Sequence, residues 1–265
     1  GMSESDVEWG IGVDEMFQVR FSSEELESLK EALKDMVNPV DIYVFLDNRK
    51  DVCKYCSNTL ELVKIISEAS PKRNGDKLIR HHVVYRDKDT NNFFKKFNVS
   101  RVPTVALLDG VIKYTGMPAG EEIRGLVETI IRISNNESGL NEETKRRISS
   151  LKGRVHIEVI VTPTCPYCPY AALLANMFAF ESYSKGLKVV SSEIVEAYEN
   201  PDIADKYGVV TVPVIVINGK VEFIGLPYED QLLERVVEHS EMVYAKETKK
   251  RLINELIELL KEEEE

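Results

Sequence analysis

Two short runs, VDIYVFL (Val40–Leu46) and VHIEVIV (Val155–Val161), are apolar and rich in β-branched and aromatic residues, the pattern of buried strands. Each is followed by a helical stretch. In the first, Leu62, Ile65, Ile66 and Ala69 make one apolar stripe; in the second, AALLANMFAF (171–180) is apolar around most of its circumference and predicts a deeply buried helix. A second strand follows in each case, HHVVY (81–85) and LKVVSSEIV (187–195), then a short helix and a Val-Pro pair. TVALLDGVIKY (104–114) and VIVINGKVEFI (214–224) place Asp-Gly and Asn-Gly between apolar runs. That signal predicts hairpins, because a type I′ turn needs positive φ at both central residues. Amphipathic helices, EEIRGLVETIIR (121–132) and EDQLLERVVEH (229–239), close the two series.

The order of elements is therefore used twice, and the residues repeat with it. A shift of 110 lays FFKKFNVSRVPT on IADKYGVVTVPV, matching Phe97 to Tyr207, Val99 to Val209, Val102 to Val212 and Pro103 to Pro213. A shift of 109 lays DGVIKYTGMP on NGKVEFIGLP, and Cys53 lies 112 residues before Cys165. The 265 residues suffice for two domains, each with its own core. The first, residues 1–134, carries an extra opening helix, FSSEELESLKEALKDMV, with a Ser22–Glu25 capping box and Leu26, Leu29, Leu33 and Met36 on one face. The polar stretch SNNESGLNEETKRR (134–147) marks the boundary, and the second domain runs over 135–240. Residues 241–265 form a further amphipathic helix, with Leu252, Leu256 and Leu259 beside Ile253, Ile257 and Leu260; it is expected to pack on the second domain, with a dimer contact as the alternative.

Composition narrows the function. A 43% hydrophobic fraction and no apolar run of ~18 residues exclude a membrane-spanning helix, and a net charge of −11 without a basic face makes nucleic acid a poor partner. The start, GMSESDVEWG, has no secretory pattern, and Gly1 before Met2 reads as a tag-removal scar; a cytoplasmic location is expected. The 30% charged fraction with only two Gln leans toward a thermophile, while fourteen Asn lean the other way.

All four cysteines fall in two Cys-x-x-Cys pairs, CKYC (53–56) and CPYC (165–168), each between a strand and a helix. A cysteine at a helix N-terminus meets unpaired N–H groups and the positive end of the helix dipole, which favour the thiolate. The second cysteine, one turn on, is close enough to form a disulfide. Cys53 and Cys165 are thus candidate nucleophiles and Cys56 and Cys168 candidate resolving thiols. Pro166 suits a first helical position; Pro169 predicts an irregular first turn. A four-thiolate zinc site is the rival reading, but 108 residues separate Cys56 from Cys165 and each pair sits in its own repeat, so no metal is expected. His81, His82, His156 and His239 are remote in sequence from the cysteines and read as packing or surface residues, which leaves a Cys-His hydrolase unsupported. Tyr55 and Tyr167 are expected to flank the sites as contact surface. Glu158, an acid in an apolar strand, is expected to face solvent or pair with a lysine, with an acid serving the dithiol as the alternative.

The doubled strand, Cys-x-x-Cys, helix and Val-Pro arrangement, with CPYC in the second copy, resembles the archaeal protein disulfide oxidoreductases, a glutaredoxin-like family. The resemblance spans about residues 20 to 240 and is carried by Cys53, Cys56, Cys165, Cys168, Pro103 and Pro213. It implies an α/β chain of two tandem thioredoxin folds, each a central mixed sheet flanked by helices, followed by the C-terminal helical extension. It also implies cis bonds before Pro103 and Pro213, with the backbone of Val102 and Val212 pairing an extended substrate. The activity it implies is dithiol–disulfide exchange on protein substrates, without a bound cofactor, by a monomer or weak homo-oligomer. CPYC is glutaredoxin-like and points to about −200 to −230 mV. A looser relative is the tandem region of the bacterial flavoprotein that reduces peroxiredoxins, which suggests, as an alternative, an electron carrier between a flavin-dependent reductase and a peroxiredoxin. A non-catalytic binding module is the third reading. Copy one departs from the pattern: it has Lys54 where copy two has Pro166, and three more residues before its first cysteine.

Overall fold

The computed structural model describes residues 12–264. The GMSESDVEWG start, read above as a tag scar without a leader, lies outside the described residues, as does Glu265. Helices α1 (Val13–Met16) and α2 (Ser23–Leu33) come first. The α2 capping box forms as its sequence predicts: Ser22 Oγ accepts from Glu25 N, and Glu25 Oε1 accepts from Ser22 N, both at 3.1 Å. Leu29 and Leu33, with Met36 just beyond, bury the predicted face.

Copy one follows as β1 (Val40–Leu46), α3 (Cys56–Ala69), a small ribbon β2 (Lys72–Arg73) with β3 (Asp76–Lys77), β4 (Ile79–Tyr85), α4 (Phe93–Lys96), β5 (Thr104–Leu107), β6 (Ile112–Thr115) and α5 (Glu122–Ser134). After α6 (Glu142–Ser149), copy two supplies β7 (Val155–Val161), α7 (Cys168–Ser184), β8 (Val190–Glu196), α8 (Pro201–Lys206), β9 (Val214–Ile217), β10 (Lys220–Ile224) and α9 (Glu229–Glu264). In each copy the first strand pairs parallel with the second and antiparallel with the third, and the hairpin completes a four-stranded mixed sheet.

The two sheets run on as one. Strand β6 pairs parallel with β8, from Ile112 opposite Ser192 to Thr115 opposite Val195, giving the order β10-β9-β7-β8-β6-β5-β1-β4. Every residue of β6 is buried, whereas its counterpart β10 stays an edge with exposed ends. Pairing edge to edge removes the row of open N–H and C=O groups that β6 would otherwise present. The seam is also polar inside. Asn176 of α7, wholly buried, donates to Tyr114 Oη and Thr129 Oγ1 from copy one and accepts from Ser192 Oγ, at 2.7–3.1 Å.

The start of the stretch 134–147 is tied down: buried Ser134 Oγ accepts from the N–H groups of Val37 and Asn38 and donates to Asn38 O. Two local expectations change. The Asn218-Gly219 turn has two residues, both at positive φ, with Ile217 opposite Lys220; at Asp109-Gly110 the loop has four, because Leu107 pairs with Ile112 and Leu108 also takes positive φ. The closing helix of copy two and the tail from Glu241 are one helix, α9, of 36 residues. Leu232, Leu233 and Val236 bury its first turns, and Gly153 anchors it: Gly153 N–H donates to Ser240 Oγ, and a Cβ at Gly153 would lie 2.0 Å from Ser240 O. With neither Gly nor Pro after Glu229 to turn the chain, the helix runs straight past the body, so the tail beyond Tyr244 does not pack on copy two.

Candidate active site

Both cysteine pairs sit where the first strand of a copy ends and its first helix begins, at the C-terminal edge of the parallel strands. Cys53 and Cys56 are joined by a disulfide with Cα atoms 5.6 Å apart; Cys165 and Cys168 are joined likewise, at 5.4 Å. The helices start at the second cysteine of each pair, so Pro166 lies in the preceding turn and Pro169 takes the first-turn place, where its missing N–H has no partner to lose. Cys168 N–H, one of the unpaired donors of α7, points at Cys165 Sγ from 3.2 Å. In the reduced state that donor and the helix dipole stabilise a Cys165 thiolate.

The Val102-Pro103 and Val212-Pro213 bonds are both cis. Each proline's carbonyl accepts a hydrogen bond from the glycine after its hairpin, Gly116 at 2.9 Å and Gly225 at 2.8 Å. Val212 O lies 3.7 Å from Cys165 Sγ, so the proline loop of copy two stands directly against its disulfide.

The two sites differ in what covers them. Tyr167 is 64% exposed, while Tyr55 is only 8% exposed, beneath the N-terminal segment. Phe17 stacks on the Tyr55 ring with centroids 4.1 Å apart, Tyr55 Oη donates to Asp14 Oδ1 at 2.6 Å, and Asn58 Nδ2 donates to Phe17 O. Lys54, the residue that breaks the Pro166 pattern, pairs with the same Asp14 oxygen at 2.9 Å. Burial, and then the Asp14 carboxylate, push the Tyr55 phenol up. Tyr55 was expected as contact surface and is not. It packs under α1 instead, and copy two has no segment matching α1. On another side of the first pair a cavity of about 410 Å³ reaches Cys53 and Cys56 between Leu46, Leu60, Lys64 and Tyr85. Asp47 at its rim is held well below the usual carboxylate range, chiefly by its hydrogen bond from the Arg49 guanidinium.

The first turn of α5, from copy one, lies against the second site. Glu121 N–H donates to Pro163 O at 2.8 Å, a Cβ at Gly120 would lie 2.4 Å from that oxygen, and Gly125 comes against Pro169. Pro163 and Pro169 bracket the Cys165–Cys168 turn. Glu122, in the same turn of helix, is 1% exposed, and neither carboxylate oxygen has a hydrogen-bond partner among the described residues. Burial pushes its pKa up to about 8. An acid pair, buried Glu196 and half-buried Glu199, lies at the seam: Glu199 Oε2 accepts from Met117 N–H and Glu196 Oε2 from Glu199 N–H. Burial and the neighbouring Glu196 raise Glu199 to about 9, so the pair keeps a proton.

A family model described as "Thioredoxin domain" matches the chain twice, over residues 40–128 and 155–237. The crystal structure of a protein disulfide oxidoreductase from Aeropyrum pernix superposes with a TM-score of 0.82 at 54% identity, covering 85% of this chain and 96% of that one. The chain belongs to the protein disulfide oxidoreductases, built on paired thioredoxin domains.

A thioredoxin of Methanocaldococcus jannaschii is 41% identical over 83 residues, 31% of this chain and 93% of that protein. A tandem N-terminal domain of alkyl hydroperoxide reductase F from Enterococcus faecalis shares the fold, with a TM-score of 0.70 at 19% identity over 82% of this chain. With two Cys-x-x-Cys pairs at disulfide distance, this member of the disulfide oxidoreductases performs thiol–disulfide exchange. The structure brings Val212 and Pro213 to Cys165 and leaves Tyr167 open beside them. Glu158 meets neither solvent alone nor a lysine; it accepts from Tyr207 Oη at 2.9 Å. His81, His82, His156 and His239 bond to Ser67, Asp41, Ser191 and Glu222. Sequence reasoning missed Asp14, Phe17 and Glu122. Only Glu122 left a signal: it falls on the apolar stripe of α5, four residues before Leu126 and eight before Ile130.

Proposed function

We propose that the chain works as two redox units, residues 1–134 with Cys53–Cys56 and residues 135–240 with Cys165–Cys168, and that the second is the main site for disulfides of protein substrates. The observation that carries this is the contrast in cover: Tyr167 stands exposed beside Cys165, whereas Tyr55 is buried under α1. In this reading the Cys165 thiolate attacks a substrate disulfide, forming a mixed disulfide and releasing one substrate thiolate. An extended substrate segment pairs with the backbone of Val212, as one would with Val102 at the first site. Cys168 Sγ then attacks Cys165 Sγ, which closes the internal disulfide and releases the second substrate thiol. Glu122, whose pKa is pushed up to about 8, is the candidate base: in its ionised form it would take the Cys168 proton and return it to the leaving thiolate.

The units work in the cytoplasm on disulfides or dithiols of proteins, and a flavin-dependent reductase that re-reduces them and a peroxiredoxin that drains them are partners of the chemistry proposed. Cys165→Ser is expected to abolish most insulin-disulfide reduction, and Cys53→Ser to leave most of it. Equal losses from the two substitutions would overturn the assignment of the main site. Trapping mixed disulfides on Cys168→Ser from cell extract separates one dedicated partner from many substrates.

A further inference from the structure

The last turns of α9 stand clear of the molecule. Tyr244, under the Lys152 ammonium and beside Gly153, is the last residue of the helix held by the body. From Ala245 to Glu264 no residue is buried, over a length of ~30 Å. Yet this stretch carries six large aliphatic side chains, Leu252, Ile253, Leu256, Ile257, Leu259 and Leu260, each 44–60% exposed. Their spacing, i, i+4 and i+7 in two adjacent rows, makes one continuous apolar face. A free helix of this length is marginal in water, and an apolar face of this kind marks a contact. The family match ends at residue 237, so the segment is an addition to the fold.

Charge identifies the occupant. The face opens with Lys249 and Lys250 and ends with Glu262 and Glu263, seven and six residues either side of Leu256. A second copy running antiparallel about Leu256 puts Lys249 opposite Glu263, Lys250 opposite Glu262, Leu252 opposite Leu260 and Ile253 opposite Leu259, against a single like-charge pair, Arg251 opposite Lys261. A parallel copy would instead set lysine against lysine and glutamate against glutamate. Twelve half-exposed aliphatic side chains offer on the order of 1,000 Å², about the lower limit of a specific interface. We propose that residues 245–264 pair antiparallel with the same segment of a second copy, about a two-fold axis at Leu256, joining two chains tail to tail with their redox sites facing outward and free.

Sedimentation equilibrium of the full chain at tens of micromolar tests this. The expected mass is twice 30.1 kDa, and the double substitution Leu252→Glu, Leu256→Glu is expected to return the single-chain mass with insulin-disulfide reduction unchanged, because the segment lies outside the folded body. Lys249→Glu should weaken association about tenfold, and adding Glu263→Lys should restore it. A single-chain mass for the unaltered protein refutes the pairing, whatever else that face then binds. A dimer that survives the double glutamate substitution refutes the surface. Failure of Glu263→Lys to rescue refutes the antiparallel register.

Discussion

Glu122→Gln isolates the energetic consequence of burying an unpaired carboxyl in the first turn of α5. In the native chain burial raises this group from an ordinary 4.5 to about 8. The unfolded group ionises near 4.5, while the native group holds its proton until about pH 8. Its contribution to stability is therefore fully present below pH 4.5, falls as pH rises to about 8, and is constant above. At ~1.4 kcal/mol for each tenfold change in proton affinity, the loss is about 5 kcal/mol. Glutamine keeps the shape and carries no charge, so its own burial cost does not vary with pH. Urea unfolding of the oxidised protein at pH 5 and pH 9 should show Glu122→Gln gaining about 4 kcal/mol on the unaltered chain between the two conditions. Taking the difference removes Glu199, which titrates equally in both proteins. A difference that stays flat with pH would refute the buried, unpaired placement of Glu122. If stability shifts as expected while the pH profile of substrate reduction does not move, the proton-accepting role falls and the burial stands.

Two further outcomes follow from the cover and the seam. Asp14→Ala removes the partner of both Tyr55 and Lys54; with Cys165 and Cys168 replaced by serine, insulin reduction through the first site should rise about threefold to tenfold, the ~0.5 to 1.5 kcal/mol of an ordinary, partly exposed hydrogen bond, and an unchanged rate would show that α1 does not obstruct it. Asn176→Leu strands the buried hydroxyls of Tyr114, Thr129 and Ser192, and should cost about 2 to 4 kcal/mol in urea unfolding without changing insulin reduction at low denaturant.

Much of the fold was legible because its signals are local. Strand runs, helical stripes, the Ser22 capping box and the Asn218-Gly219 turn are each set within a few residues, and the repeat checked every assignment twice. Both Cys-x-x-Cys pairs were legible for the same reason, since three residues and a helix start bring the sulfurs together. The helix of 36 residues reads in the sequence as two, a closing helix and a tail, although no breaker stands between Glu229 and Glu264.

What the sequence by itself determined is the chemistry of each dithiol and the order of elements that presents it. The tertiary structure alone decided how the two copies differ, because that depends on residues far apart in the chain. Tyr55 and Tyr167 occupy the same place in their motifs, and only the return of Phe17 and Asp14 across some forty residues buries the first. The first turn of α5 belongs to the first copy by sequence and packs on Pro163 and Pro169, beside the second dithiol. The edge pairing of β6 with β8 brings that about, and since strand edges recognise backbone groups rather than side chains, no local pattern announces it.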